Sequence, residues 1–202
     1  MKSIFYRQGC LFIFVLVIFN YAGGITCCAV AGLPEIQCPT AQQEEKGIAQ
    51  VDMRYRSPRG YSILVPGSYS YTVCDAVHPD MSLLFIKYNN DEPAASFTMT
   101  TLNKNVINTD QSLERIADEI CKGIVQFNKN SRFTNHLYSR VAGEEAFTID
   151  SETLSDETPL QGKLLFMKKN DRVYNLYYVA RRDQYRKYLN DYERVVQSLR
   201  LE

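Results

Sequence analysis

The stretch Thr109-Asp-Gln-Ser-Leu-Glu-Arg-Ile-Ala-Asp-Glu-Ile-Cys-Lys-Gly-Ile-Val-Gln-Phe127 carries the strongest helical pattern in the chain. Its apolar residues recur at intervals of three and four, which lines one face of an α-helix. They are Leu113, Ile116, Ala117, Ile120, Cys121, Ile124 and Val125. Thr109 or Asp110 is placed to cap the first turn, and the segment from Asn128 to Asn130 offers a stop. Because a lone helix of this length is marginal in water, we expect it to lie on a flat apolar partner.

The segments on both sides of this helix have the composition and spacing of β-strands. Before it, residues 83–88 and 95–102 flank a polar turn and predict a hairpin. After it, residues 133–141 predict a further strand, and the clearest hairpin joins 163–168 to 173–180. The last two strands carry bulky apolar side chains at both odd and even positions, which is typical of a sheet covered on both faces.

A second amphipathic helix begins at about Asp183. Its apolar positions are Tyr185, Tyr188, Leu189, Tyr192, Val195, Val196 and Leu199. Strands arranged in hairpins, together with only two long helices, predict an α+β fold. We expect an antiparallel β-sheet flanked by helices on both faces, an α/β/α sandwich, built from residues 55–202.

The amino terminus has the organisation of a secretory signal peptide. Lys2 and Arg7 precede the apolar run Cys10–Phe19, and Ala29-Val-Ala31 supplies small residues for cleavage before Gly32. Residues 1–31 are therefore predicted to be a signal peptide. The polar segment 32–54 is predicted to be a flexible linker.

Two other fates of the amino terminus stay open. Ile25-Thr-Cys27-Cys28 resembles a bacterial lipoprotein box, which makes Cys27 and Cys28 candidates for lipidation. The absence of charge between Arg7 and Glu35 also leaves room for an uncleaved membrane anchor. Either outcome would attach the protein to a membrane through its amino terminus.

Cysteine usage fits an exported chain. Cys38 and Cys74 are candidates for a disulfide in an oxidising compartment. Cys121 lies on the apolar face of the first helix and is interpreted as a small buried hydrophobe.

The composition argues against nucleic-acid binding. Without residues 1–31 the chain keeps 21 basic and 23 acidic residues, a formal net charge of −2. Such a body lacks the excess of positive charge that neutralises phosphates. We therefore expect a protein partner and no nucleic acid.

No catalytic, cofactor or metal site is predicted. The two histidines, His78 and His136, lie far apart in sequence and have no neighbouring ligand spacing, whereas zinc needs three or four ligands. The familiar motifs of serine hydrolases, zinc proteases and phosphate-binding loops are absent from the sequence.

The late tyrosines give the one candidate binding surface. The chain has 14 Tyr, and many fall after residue 170, more phenols than a core readily satisfies, because a buried O–H group needs a partner. Tyr and Arg together are typical of protein-binding patches. The candidate partner-binding residues are Tyr174, Tyr178, Tyr185, Tyr188, Arg181 and Arg182. The alternative is that these tyrosines belong to the core and expose only their tips.

The order of several short motifs resembles the PsbP-like and DcrB-like proteins. They are Gly60-Tyr-Ser-Ile-Leu-Val-Pro66, Ala142-Gly-Glu-Glu-Ala146, Gly162-Lys-Leu-Leu-Phe166 with Val173-Tyr-Asn-Leu-Tyr-Tyr178, and Tyr192-Glu-Arg-Val-Val-Gln-Ser-Leu-Arg-Leu201. The similarity covers residues 55 to 201 and implies an antiparallel sheet with helices on both faces. It also implies an exported or lipoprotein accessory factor in the periplasm or cell envelope.

Three functions follow as hypotheses. The first is a non-catalytic exported envelope protein that binds a protein or stabilises a complex. The second is an envelope hydrolase whose site the sequence does not group. The third is an immunity or inhibitor protein against a secreted toxin.

Overall fold

The computed structural model describes residues 45–73, 81–154 and 158–202. In chain order the elements are β1 (Glu45–Ile48), β2 (Met53–Ser57), β3 (Tyr61–Val65), β4 (Ser70–Val73), β5 (Met81–Asn89), β6 (Glu92–Asn103), α1 (Leu113–Phe127), β7 (Ser131–Val141), β8 (Glu144–Thr153), β9 (Leu160–Lys169), β10 (Arg172–Arg181), α2 (Tyr185–Ser198) and β11 (Arg200–Leu201).

Two antiparallel sheets form the architecture. The larger has eight strands in the order β1-β4-β5-β6-β10-β9-β8-β7, and the smaller has three in the order β11-β3-β2. Every pairing between neighbours is antiparallel. Hairpins connect β5 to β6, β7 to β8 and β9 to β10. Strands β6 and β10 are neighbours in the sheet, although α1, β7, β8 and β9 lie between them in the chain. The predicted antiparallel sheet with two helices is confirmed.

Helix α1 starts later than its pattern predicted. Its cap is Ser112, whose side-chain oxygen accepts a hydrogen bond from the Arg115 N–H at 3.3 Å, so capping by Thr109 or Asp110 is wrong. Thr109 is instead buried in the connection from β6. Asn128 ends the helix, as its position predicted.

The two helices pack in different apolar clusters. The α1 cluster includes Leu164 and Phe166 of β9, and the α2 cluster includes Leu165 and Met167 of the same strand. Alternate residues of β9 are thus divided between the clusters. Cys121 is a buried free thiol in the α1 cluster, as its place on the helix predicted.

The linker prediction is wrong for residues 45–54. These residues form β1, which pairs with β4, and begin β2, which pairs with β3. The sequence lacks an apolar period here, because β1 lies at a sheet edge and is held largely by main-chain hydrogen bonds. The predicted signal peptide, residues 32–44 of the linker, and Cys27, Cys28, Cys38, Cys74 and His78 lie outside the described residues.

Within the three described ranges, no helix has the length and apolar character needed to cross a bilayer.

Candidate functional site

The candidate tyrosines are mostly core residues. Tyr174, Tyr178 and Tyr188 are 1%, 0% and 5% exposed, so the prediction of a tyrosine surface is wrong for these three. Their burial has a structural reason, since α2 and the β2–β3 turn cover β10. Burial raises the pKa of the Tyr178 phenol above its ordinary value, with further contributions from Tyr185 and Asp191.

Main-chain carbonyls accept hydrogen bonds from two of the buried phenols. The Tyr178 O–H donates to the Tyr185 carbonyl oxygen at 2.8 Å, and the Tyr174 O–H donates to the Arg59 carbonyl oxygen at 3.2 Å. The Tyr69 O–H donates to a carboxylate, Asp191 Oδ2, at 2.9 Å. The expectation that a core could not satisfy so many phenols overlooked the acceptors that α2 and the β2–β3 turn supply.

Tyr185, Arg181 and Arg182 lie together at one end of the large sheet. Arg181 ends β10, and the Gln184 N–H donates to its carbonyl oxygen at 2.9 Å to close the turn into α2. Arg182 is exposed and Tyr185 is half-buried. The Tyr185 ring stacks on Tyr178 with ring centroids 5.5 Å apart. Burial, and then the carboxylate of Asp150, raise the pKa of Tyr185 to about 12.

The β5–β6 hairpin completes this end of the sheet. Its turn residues Asn90 and Asp91 have φ angles of 51° and 64°, the left-handed conformation that two-residue hairpins use. The turn brings Glu92 against Arg181, whose Nη1 lies 2.6 Å from Glu92 Oε2. Asp183 Oδ1 lies 3.7 Å from the Arg181 Nε, so two carboxylates orient this guanidinium.

An open pocket of about 280 Å³ lies between the hairpin turn and the β10–α2 turn. It is lined by Asn89, Asn90, Glu92, Pro93, Ala94, Arg181, Asp183 and Gln184. This volume is just below the ~300–1,000 Å³ of small-molecule sites. The lining offers amide and carboxylate groups to a partner.

Tyr88 belongs beside this pocket, although the sequence argument missed it. It is 44% exposed, precedes the pocket residue Asn89, and pairs with Pro93 across the hairpin. Its position as the last aromatic residue before a polar turn was the available signal. We call Tyr88, Glu92, Arg181, Arg182 and Tyr185 the Arg181 corner.

The other candidate sites in the described residues would be metal-binding groups and reactive histidine or cysteine side chains. No group of three or more metal-ligating side chains occurs in residues 45–73, 81–154 and 158–202. His136 lies on β7 with its ring 5.6 Å from the Phe147 ring. Cys121 is inert at neutral pH, because burial raises the pKa of its thiol to about 12.

Comparison with known proteins identifies the fold. No family model and no curated protein matches the sequence. Solved structures do match. The solution structure of cyanobacterial PsbP (CyanoP) from Synechocystis sp. PCC 6803 superimposes with a TM-score of 0.60 at 12% identity, over 89% of this chain and 100% of that one. PA94 from Pseudomonas aeruginosa, a protein of unknown function, gives a TM-score of 0.50 at 11% identity, over 73% of this chain and 95% of that one. The chain therefore has a PsbP-like fold, as the motif order predicted.

Proposed function

We propose that this chain is a non-catalytic accessory protein of the cell envelope and that it binds a partner protein through the Arg181 corner. The observation that carries the proposal is an open pocket lined by Arg181, with Arg182 and Tyr185 next to lining residues in the chain and the exposed Tyr88 next to the lining residue Asn89. Tyr and Arg are enriched in protein interfaces and in the residues that contribute most of the binding energy. Arg181 is already oriented by Glu92 and Asp183, so binding would order few additional groups.

The accessory role and the envelope location draw support from the PsbP-like fold and from the sequence resemblance to PsbP-like and DcrB-like proteins. The identity to CyanoP is 12%, at which a shared fold carries no residue roles. We further propose that α1 and α2 close opposite faces of the large sheet. The division of alternate β9 residues between the two helix clusters supports this arrangement, because successive strand residues point to opposite faces.

The amino terminus is part of the proposal. Export by the signal peptide, lipidation at Cys27 or Cys28, and retention as an anchor predict three different masses for the mature chain. Intact-protein mass spectrometry of the protein from native membranes distinguishes them. A mature chain that keeps residues 1–31 in the cytoplasmic fraction would refute export.

Site-specific photo-crosslinking tests the Arg181 corner. A photoreactive residue replaces Tyr88 or Arg182 in the full chain, and the matched control replaces Lys122, an exposed cation on α1. We expect the same protein to crosslink from positions 88 and 182 in native membranes and not from position 122. The double variant Tyr88→Ala/Arg182→Glu should abolish capture of that protein. Equal crosslinking from all three positions, or capture unchanged by the double variant, would refute this surface.

A further inference from the structure

Strand β7 is an exposed edge of the eight-stranded sheet. It pairs with β8 on one side and has no neighbour on the other among the described strands. Residues 134–140 are all exposed, and Leu137 and Tyr138 are 62% and 50% exposed. An edge of this kind presents a row of N–H and C=O groups to which another strand can add.

The two halves of β7 differ. The first half has a feature that discourages strand addition, a bulge at Asn135, where φ is 54° and the register shifts between Thr134 and Leu137. The second half, 137–141, is regular and pairs residue by residue with 144–148 of β8. A regular strand segment with two adjacent exposed side chains, Leu137 and Tyr138, is therefore available.

We propose that residues 137–141 pair antiparallel with the same residues of a second copy, forming a homodimer with its two-fold axis at Ser139. In this register Leu137 lies opposite Val141 of the second copy, and Tyr138 lies opposite Arg140. Ser139 lies opposite Ser139. One surface of the joined sheets gains an apolar pair and the other gains a cation–π pair, each twice by symmetry.

The charges of β7 favour this register over its neighbours. The strand carries Arg132, His136 and Arg140 and no acidic residue. Moving the axis to residue 140 would place the two Arg140 side chains opposite each other. Moving it to residue 138 would place Arg140 opposite His136, so Arg140 would lose Tyr138 as its partner. With the axis at Ser139, the two Arg140 side chains do not face each other, and each faces a tyrosine.

Acidic groups near Tyr138 add to the attraction for Arg140 of the second copy. The Tyr138 O–H donates to Glu114 Oε2 at 3.1 Å. Glu145 of β8 is exposed and lies opposite Arg140 of β7. Desolvation, and then the carboxylates of Glu114, Glu145 and Asp118, raise the pKa of the Tyr138 phenol.

The contact is small. Stable complexes bury ~1,200–2,000 Å² in total, and five paired residues reach less than this. We therefore expect a dimer that dissociates on dilution, with a dissociation constant on the order of 10 μM. The Arg181 corner lies on other strands and stays open in the dimer.

Two experiments on the mature full chain test the proposal. Sedimentation velocity across a dilution series should show a monomer–dimer equilibrium, which Leu137→Lys weakens about ten-fold or more because the change counts twice in a symmetric dimer. Ser139→Cys should form an intermolecular disulfide, since directly opposed residues have Cα atoms about 4.5–5.5 Å apart. The matched control Thr134→Cys should not, because the same register separates the two copies of residue 134 by roughly 30 Å. The wild-type chain controls for its own cysteines.

Several outcomes would overturn the dimer. They are a monomer at every concentration, a dimer unaffected by Leu137→Lys, and equal disulfide formation at positions 134 and 139. The dimer would also be overturned if the chain is monomeric and Leu137→Lys abolishes its crosslinking to a different protein. In that case the β7 edge would bind a strand of the other protein. Circular dichroism of each variant verifies the fold, and the Ser139→Cys result does not depend on the lysine variant.

Discussion

Replacing Gly162 by Ala tests how closely the large sheet is packed. Gly162 lies in β9 between Val179 of β10 and Ser151 of β8. An added Cβ would overlap the Tyr178 carbonyl oxygen and lie 2.8 Å from Ser151 Oγ and 3.0 Å from Tyr177 Cε2. The Tyr178 carbonyl is part of the backbone and has no rotamer into which it can move. The strand itself must therefore shift.

The size of the effect follows from this overlap. Overpacking a closely packed interior costs ~1–3 kcal/mol and occasionally more when the backbone must move. Because the clash involves both neighbouring strands, we expect Gly162→Ala to lower the free energy of unfolding by about 3 kcal/mol. For a domain of this size the melting temperature falls by ~2–4 °C for each 1 kcal/mol. The variant should melt roughly 6–12 °C below the wild type.

Gly123→Ala is the matched control, because the chemical change is identical. Gly123 lies inside α1, and a Cβ built there has nothing within 4 Å. Alanine loses less backbone entropy than glycine on entering a helix, so we expect a gain of about 0.5–1 kcal/mol. The same methyl group should thus act with opposite signs at two buried positions.

Urea unfolding followed by circular dichroism measures both changes on the same scale. If the free energy of unfolding of Gly162→Ala lies within about 0.5 kcal/mol of the wild-type value, β9 can move away from β10 at little cost. That result would contradict the packing argument. A loss of stability in Gly123→Ala would contradict the space seen around α1.

Three further predictions concern buried hydroxyl and thiol groups. The pKa of Tyr185 is about 12, so the folded state holds this proton more tightly than the unfolded chain, whose phenols titrate near ~10. The free energy of unfolding should stay level up to about pH 10 and fall as the pH rises toward 12. Urea unfolding at a series of pH values measures this change. A free energy that stays level up to pH 12 would contradict the prediction. Burial raises the pKa of the Cys121 thiol to about 12, so this thiol should resist alkylation at about pH 8 in the folded chain. It should react fully in denaturant, as measured by peptide mass. Rapid labelling of the native protein would refute its burial. The Tyr61 and Ser82 hydroxyls are 2.5 Å apart in the core, so Tyr61→Phe should lower the free energy of unfolding by about 1–2 kcal/mol, and an unchanged value would show that the contact contributes nothing.

The local elements were readable from the sequence because they arise from short-range spacing. The three- and four-residue period of α1 located the helix, and its apolar face is the buried face except at Val125, which is 36% exposed near the end of the helix. The hairpin of β9 and β10 was predicted from two apolar runs around a short polar turn, and each strand was found extended by a few residues. The order of the motifs also identified the PsbP-like fold.

The candidate site was predicted less well. Arg181 and Tyr185 are partly exposed and Arg182 is exposed, and the role of these residues in binding stays a prediction. Tyr174, Tyr178 and Tyr188 were misplaced, and Tyr88 was missed. Composition reports how many phenols a segment has, but it does not report which of them meet a partner.

Tertiary structure decided those features because they depend on contacts between distant parts of the chain. Tyr174 can be buried at little cost because its O–H donates to a carbonyl oxygen 115 residues earlier, at Arg59. Strand β1 exists because β4 supplies its hydrogen-bonding partner, and no side-chain period is required for that pairing. Strand β7 is an edge because the strand order ends there, although its sequence reads like that of its neighbours. Periodicity along the chain determined which segments are helix or strand, and the order of strands across the sheet determined which residues are left for a partner.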